Sequence, residues 1–258
     1  MKKASKRLVF ANVVGLALVL AVNYLSNALP LNGKTPAQLS DQYPNLFTPA
    51  GLTFSIWGVI YTWLLVWAGF QIAAIPNRSV AERVEPTLQR IGWLFAATCA
   101  FNIAWLLAWH WEQVGLSVAV MVALLATLLR INERLHAAPT TRFERWAVQI
   151  PFGIYQGWIT VALIANIAAF LVAGGWSGGG AAPIWAMAMA IVGAALAVWA
   201  LIRQNNVGHA LAVAWALVGI FSKRSNSDIA GSPGVAYVAL SAALVLLVIA
   251  AARALSRR

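Results

Sequence analysis

Three stretches of the chain combine aromatic rings with hydrogen-bonding groups at helical spacing. Residues 48–61 read T-P-A-G-L-T-F-S-I-W-G-V-I-Y, and Phe54, Trp57 and Tyr61 stand there at i, i+3 and i+7. Asn102, Trp105 and Trp109 repeat that spacing. Tyr155, Trp158 and Asn166 span eleven residues, about three turns. Each set would share one helix face. Side chains of these types build walls rather than catalytic centres. Flat rings stack on a flat apolar ligand, and an amide, indole N–H or phenol orients its polar edges. The competing reading takes Trp and Tyr as interfacial anchors and intramembrane Asn as helix–helix glue. That reading is assigned to Trp63, Trp67, Trp111, Trp146, Trp176 and Trp185; for the three faces both stay open.

Other chemistry is poorly equipped. His110 and Glu112 flank Trp111 at a helix end, as solvated turn residues, an acid–base pair or half a metal site. His136 and His209 stand far apart from them and from each other, without metal-ligand spacing. The single cysteine, Cys99, allows no disulfide within the chain. No carboxylate pair falls in an apolar block, so acid–base catalysis at membrane depth lacks its usual groups. No intramembrane lysine is present for a Schiff base, and no phosphate-binding glycine loop precedes a Lys-Ser/Thr pair. No catalytic or metal residue is nominated, and no cofactor is required.

The elements that carry the faces are membrane spans. The 258 residues are 61% hydrophobic and 10% charged, with a mean hydropathy of +0.76. A water-soluble globule carries about 25% charged residues. Eight apolar blocks occupy residues 9–29, 52–75, 91–111, 114–129, 146–173, 183–202, 207–221 and 235–252, none containing Lys, Arg, Asp or Glu. Continuous blocks select helices over a barrel, so the expected fold is an all-α polytopic membrane bundle of about eight helices. The block at 207–221 is the shortest. The net charge of +11 sits between the blocks, which points to lipid headgroups and orientation rather than nucleic acid. Fifteen basic residues fall on one side: Lys2, Lys3, Lys6, Arg7, Arg78, Arg83, Arg90, Arg130, Arg134, Arg142, Arg145, Arg203, Arg253, Arg257 and Arg258. Three, Lys34, Lys223 and Arg224, fall on the other. The positive-inside rule then puts both termini in the cytoplasm, and a bacterial inner (plasma) membrane is expected. A basic start and Ser26-Asn27-Ala28 also allow a cleaved signal peptide, against which Asn12 and Asn23 interrupt the apolar stretch.

The outer loop 30–48, with Pro30, Gly33, Pro36 and Pro44, has the length of a lid without obvious structure of its own. The Gly-rich linker 174–182 is the best internal boundary. It divides residues 1–173, with five spans, from residues 183–258, with three. Gly153 and Gly157 form G-x-x-x-G, for packing inside the bundle or for a homodimer seam.

These motifs resemble the TspO/MBR family, the translocator proteins or tryptophan-rich sensory proteins. That family places Trp eight residues after the second Pro of a pair and Tyr four later; Pro49, Trp57 and Tyr61 keep that spacing. Its third helix carries Leu-Asn-x-Ala-Trp, matched by Phe101-Asn102-Ile103-Ala104-Trp105. Its fifth has Tyr-x-x-Trp with Asn eleven residues after the Tyr, matched by Tyr155, Trp158 and Asn166. The resemblance covers residues 8–172 and leaves the last three spans outside. It implies a five-helix bundle that binds tetrapyrroles, isoquinoline-type drugs or sterols in a pocket closed by the first loop. Trp57, Asn102, Trp105 and Trp158 would line the pocket; Tyr61, Tyr155 and Asn166 would support it. The expected function is a membrane receptor, sensor or carrier for a tetrapyrrole. The alternatives are a transporter of another hydrophobic solute and a light-dependent porphyrin-degrading enzyme. Thr48 replaces the first Pro of the pair, Leu106 stands where Pro often follows the third-helix Trp, the first loop lacks Trp, and the sterol-contact pattern is absent.

Overall fold

Each of the eight apolar blocks becomes a helix in the structure, a computed structural model that describes residues 1–29, 31–137 and 141–255. Pro30, Arg257 and Arg258, used in the loop and charge readings, lie outside the described residues. The helices are α1 (Lys3–Ala28), α2 (Pro36–Asp41), α3 (Ile56–Ala73), α4 (Arg78–Ile91), α5 (Leu94–His110), α6 (Val114–His136), α7 (Arg142–Glu144), α8 (Ile150–Ala173), α9 (Ala182–Gln204), α10 (Val207–Arg224) and α11 (Ser232–Leu255). A π-helical turn, Arg145–Gln149, joins α7 to α8. No strand occurs among the described residues.

The eight blocks do not all meet one standard of length and apolarity. By length and composition six helices among the described residues can cross a membrane: α1, α3 with the 3-10 turn before it, α6, α8 with its lead-in, α9 and α11. The pair α4 and α5 passes the same test only when taken together, and it is bent by 59° at the break. The α10 helix falls short of that standard. It opens near His209 and closes on Lys223 and Arg224, and it lies wedged among α8, α9 and α11. Protein covers most of it, and Leu211, Trp215 and Val218 keep one apolar face exposed.

The segment 78–90, expected as a loop, is the helix α4. Its Ala81, Val84, Leu88 and Ile91 fall on one side and are buried, while Arg78, Glu82 and Arg83 are exposed and Glu85 is half-buried. That amphipathic pattern suits a helix lying in the interface. Asn77 caps it by accepting the backbone N–H groups of Ser79 and Val80. The N-terminus docks on it through Ser5, whose hydroxyl donates to the Glu85 carboxylate at 2.5 Å.

Charged loops sort to two ends. At one end Lys2 meets Glu85, Arg90 pairs with Glu144, and an Arg134 N–H donates to the Arg90 carbonyl. At the other, Lys34 pairs with Glu112 and Lys223 with Asp41. Lys2, Arg90 and Arg134 thus group together, apart from Lys34 and Lys223.

The last three helices are locked onto the first five by small residues. A Cβ on Gly157 would lie 2.4 Å from the His209 carbonyl oxygen, and one on Gly208 would lie 2.4 Å from the Ile150 carbonyl oxygen. The glycine face of α8 therefore receives α10 of the same chain, and the packing alternative for G-x-x-x-G is the one the structure realises. Buried Asn132, Asn206, Gln156 and His209 line this seam. Asn206 donates to Asn132, caps α10 at the His209 N–H, and lies beside the 3.0 Å contact between Gln156 Nε2 and His209 Nδ1.

Candidate ligand cavity

The opening of α3 sets the position of the first aromatic face. Pro49 stands before the helix rather than in its first turn. It precedes a 3-10 turn, Gly51–Ser55, and α3 begins only at Ile56. The reason lies in α10. Ala50 N–H donates to the Gly219 carbonyl at 3.1 Å, and Trp215 Nε1 donates to the Thr53 carbonyl at 2.9 Å. Gly219 leaves room for Thr53, whose Oγ1 would be 2.0 Å from a Cβ there. The C-terminal helices thus hold the segment that aims Phe54 and Trp57.

Trp57 is the hub of the site. Its ring stacks on Tyr61 at 5.2 Å between centroids and on Trp105 at 6.4 Å, and meets Tyr155 at 5.9 Å and Trp158 at 6.2 Å edge to face. Phe54 meets Trp158 at 5.6 Å. These rings wall a cavity of about 420 Å³, within the size range of small-molecule sites. Phe54, Trp57, Tyr61, Trp105, Trp158 and Asn166 all line it, as does Trp109.

Two nominated residues stand behind the wall instead. Asn102 was expected to line the pocket, but it is buried and absent from the lining. Its Nδ2 donates to the Tyr155 hydroxyl at 3.0 Å, and its Oδ1 accepts from Asn23 Nδ2 at 3.2 Å. Tyr155 is likewise buried, edge-on to Trp57. This Asn23–Asn102–Tyr155 chain ties α1, α5 and α8 together under the cavity. Asn166 and Tyr61, expected only as supports, reach the lining. Asn166 Oδ1 accepts the Trp105 indole N–H at 3.0 Å, and its Nδ2 donates to Ser117 at 2.8 Å. The amide fixes the indole plane, which is what a stacking wall requires.

Several lining residues were not anticipated. Leu20, Asn23, Tyr24 and Asn27 come from α1, and Met121 from α6. Asn23 and Asn27 at i, i+4 beside an aromatic residue were the available sign, though Asn23 reads first as an interruption of an apolar run and Asn27 as part of a cleavage-site pattern. The lid contributes Pro36, Ala37, Ser40, Thr48 and Pro49.

That lid is ordered, unlike the structureless loop expected. The α2 helix has a capping box in which Thr35 and Gln38 exchange side-chain and backbone bonds, with Pro36 at its first position. Leu39 is fully buried against Trp109, Val114 and Ala169. Tyr43 packs on Trp109 at 5.8 Å; burial, and then the nearby Glu112 charge, push its phenol above the usual tyrosine range. Asn32 donates to the His110 carbonyl at 3.0 Å, and Lys34 pairs with Glu112 at 2.7 Å.

Two other readings need correction. His110 is not a solvated turn residue: it is fully buried, with Nδ1 at 2.8 Å from the Leu106 carbonyl. The lid covers it. Trp67 is not an interfacial anchor: it is fully buried in the main core, whereas Trp111 and Trp146 are more than half exposed. No cluster of metal-ligating residues forms among the described residues.

The family model for TSPO-like proteins matches residues 9–252. The chain belongs to the TSPO-like family. The match runs past residue 172, where the recognised motifs end, and takes in the three C-terminal helices. Neither a search of curated proteins nor one of solved structures found a match. As a TSPO-like protein the chain is an integral membrane protein of the sensor or ligand-binding kind.

Proposed function

We propose that the protein is a membrane receptor or carrier that holds a flat hydrophobic ligand, a tetrapyrrole of the porphyrin or haem kind, in the aromatic cavity. The carrying observation is Trp57, in contact with four other rings at the wall of that cavity. Planar walls fixed by Asn166 and the Asn102–Tyr155 pair suit a planar ligand. Each aromatic contact adds about 0.5–1.5 kcal/mol beyond area burial, so several rings with a buried macrocycle reach micromolar affinity, about −8 kcal/mol. The basic end, with both termini, faces the cytoplasm of a bacterium, and the lid faces outward.

Titration of the purified protein with protoporphyrin IX quenches its tryptophan fluorescence with a saturable midpoint. Replacing Trp57 and Trp158 together by Ala weakens binding at least tenfold. An unchanged midpoint in the double variant overturns this cavity as the site.

A further inference from the structure

A second cavity lies on the far side of the lid. It measures about 730 Å³, and Ser40 and Thr48 line both it and the inner cavity. Its walls come from the lid, the 174–182 linker and the outer ends of the last three helices. Trp176 and Trp185 meet there at 5.8 Å, edge to face.

Arg224 sets the chemistry of this chamber. It lines the cavity yet is only 4% exposed. One N–H of its guanidinium donates to the Asn45 carbonyl at 3.1 Å, while its Nε has no partner. Among the described residues no carboxylate pairs with it; the nearby acid, Asp41, pairs with Lys223 at 3.5 Å. A buried guanidinium without a counter-ion is unfavourable unless something anionic joins it. Its planar fork matches a carboxylate, and the two indoles offer an apolar surface beside it.

We propose that this outer chamber is a binding site for the carboxylate of a flat aromatic acid, with Arg224 as the anion ligand and Trp176 and Trp185 as the apolar support. Lys223 and Asp41, paired at 3.5 Å, also line the chamber and offset each other, which leaves Arg224 as its unpaired charge. Because Ser40 and Thr48 form a common partition, the chamber is the antechamber of the inner cavity, and the preferred ligands are acids rather than neutral aromatics. The antechamber role rests on the ligand-binding reading of the inner cavity; the anion site does not.

The test uses 1-pyrenebutyrate and its neutral counterpart 1-pyrenebutanol, with the full-length protein in phosphatidylcholine nanodiscs. Wild type binds the acid roughly tenfold more tightly than the alcohol, as expected of a charge-assisted pair. Arg224→Gln brings the ratio to about one while alcohol binding persists, which reports that the variant is folded. Arg224→Lys keeps part of the preference. Equal affinities in wild type, a ratio unchanged in Arg224→Gln, or no binding of either probe overturns the proposal. Trp57→Ala separates the two sites. If it leaves both affinities unchanged while Arg224→Gln abolishes the preference, the chamber stands and the inner cavity fails as a site for these probes.

Discussion

At the scale of single residues, the amides do more than the rings to define the site. Asn166 fixes Trp105 and bonds Ser117, and it holds two elements at once. Asn166→Ala leaves the indole N–H and the hydroxyl without that partner. Hydrogen bonds between membrane helices are worth about 0.6 kcal/mol on average and up to about 1.7. Thermal unfolding in detergent should show a loss of that order, with ligand affinity falling further because the indole plane is no longer fixed. The aromatic partners were legible from sequence, since i, i+3, i+7 spacing fixes a face whatever lies opposite. Whether a residue on that face lines a void or fills the layer beneath it was not legible. Asn102 and Trp105 are only three positions apart, yet one is behind the wall and the other in it. That difference depends on Tyr155 and Asn23, which come from other helices.

At the scale of elements, the contact between α8 and α10 should be intolerant of any added carbon. Gly157→Ala places a methyl 2.4 Å from a backbone carbonyl, which no rotamer change relieves. Overpacking of this kind costs about 1–3 kcal/mol. Gly58→Ala, on an exposed face with nothing within 4 Å, should leave the melting temperature unchanged or raise it, since Gly inside a helix is disfavoured relative to Ala. A second element-level effect concerns acid. The Ser5 hydroxyl and the Lys2 backbone N–H hold Glu85 below its ordinary value of 4.5. A lowered carboxyl pKa gives stabilisation that is full above the unfolded value and lost as pH falls through the folded one. Glu85 is only half-buried, so solvent screening keeps the effect small and local. Hydrogen exchange of the first turn of α1 should quicken below about pH 4.5 in wild type, and Glu85→Gln should show that faster exchange already at neutral pH. The eight apolar blocks were readable because apolarity is a property of the block alone. The α4 helix hid among charges: its buried face has only four apolar residues, and the arginines around it read as a loop between spans.

At the scale of the whole molecule, the boundary at the Gly-rich linker proves to be one of sequence rather than of packing. Composition changes at residues 174–182, yet α10 sits in the glycine face of α8, and its Gly219 and Trp215 hold the turn that aims Phe54 and Trp57. Local sequence marked Gly153 and Gly157 as a packing face but not its partner, because Gly208 lies about fifty residues further along the chain, beyond the linker. The lid shows the same dependence. Glu112 anchors it from the middle of the chain through Lys34, and Lys223 anchors it from the last quarter through Asp41.

Both of those anchors are ion pairs with partly exposed side chains, and dissolved ions weaken such pairs, the screening length shrinking from about 10 Å at 0.1 M to about 3 Å at 1 M. The cap over the cavity is therefore a latch whose stiffness is set by the surrounding electrolyte. Stopped-flow measurements with a neutral porphyrin ester should record faster entry and faster escape as sodium chloride rises, with little change in the equilibrium constant. Lys34→Gln combined with Lys223→Gln should be fast at every salt concentration, and rates in wild type that ignore salt would mean the latch is held by Leu39 and its apolar neighbours alone.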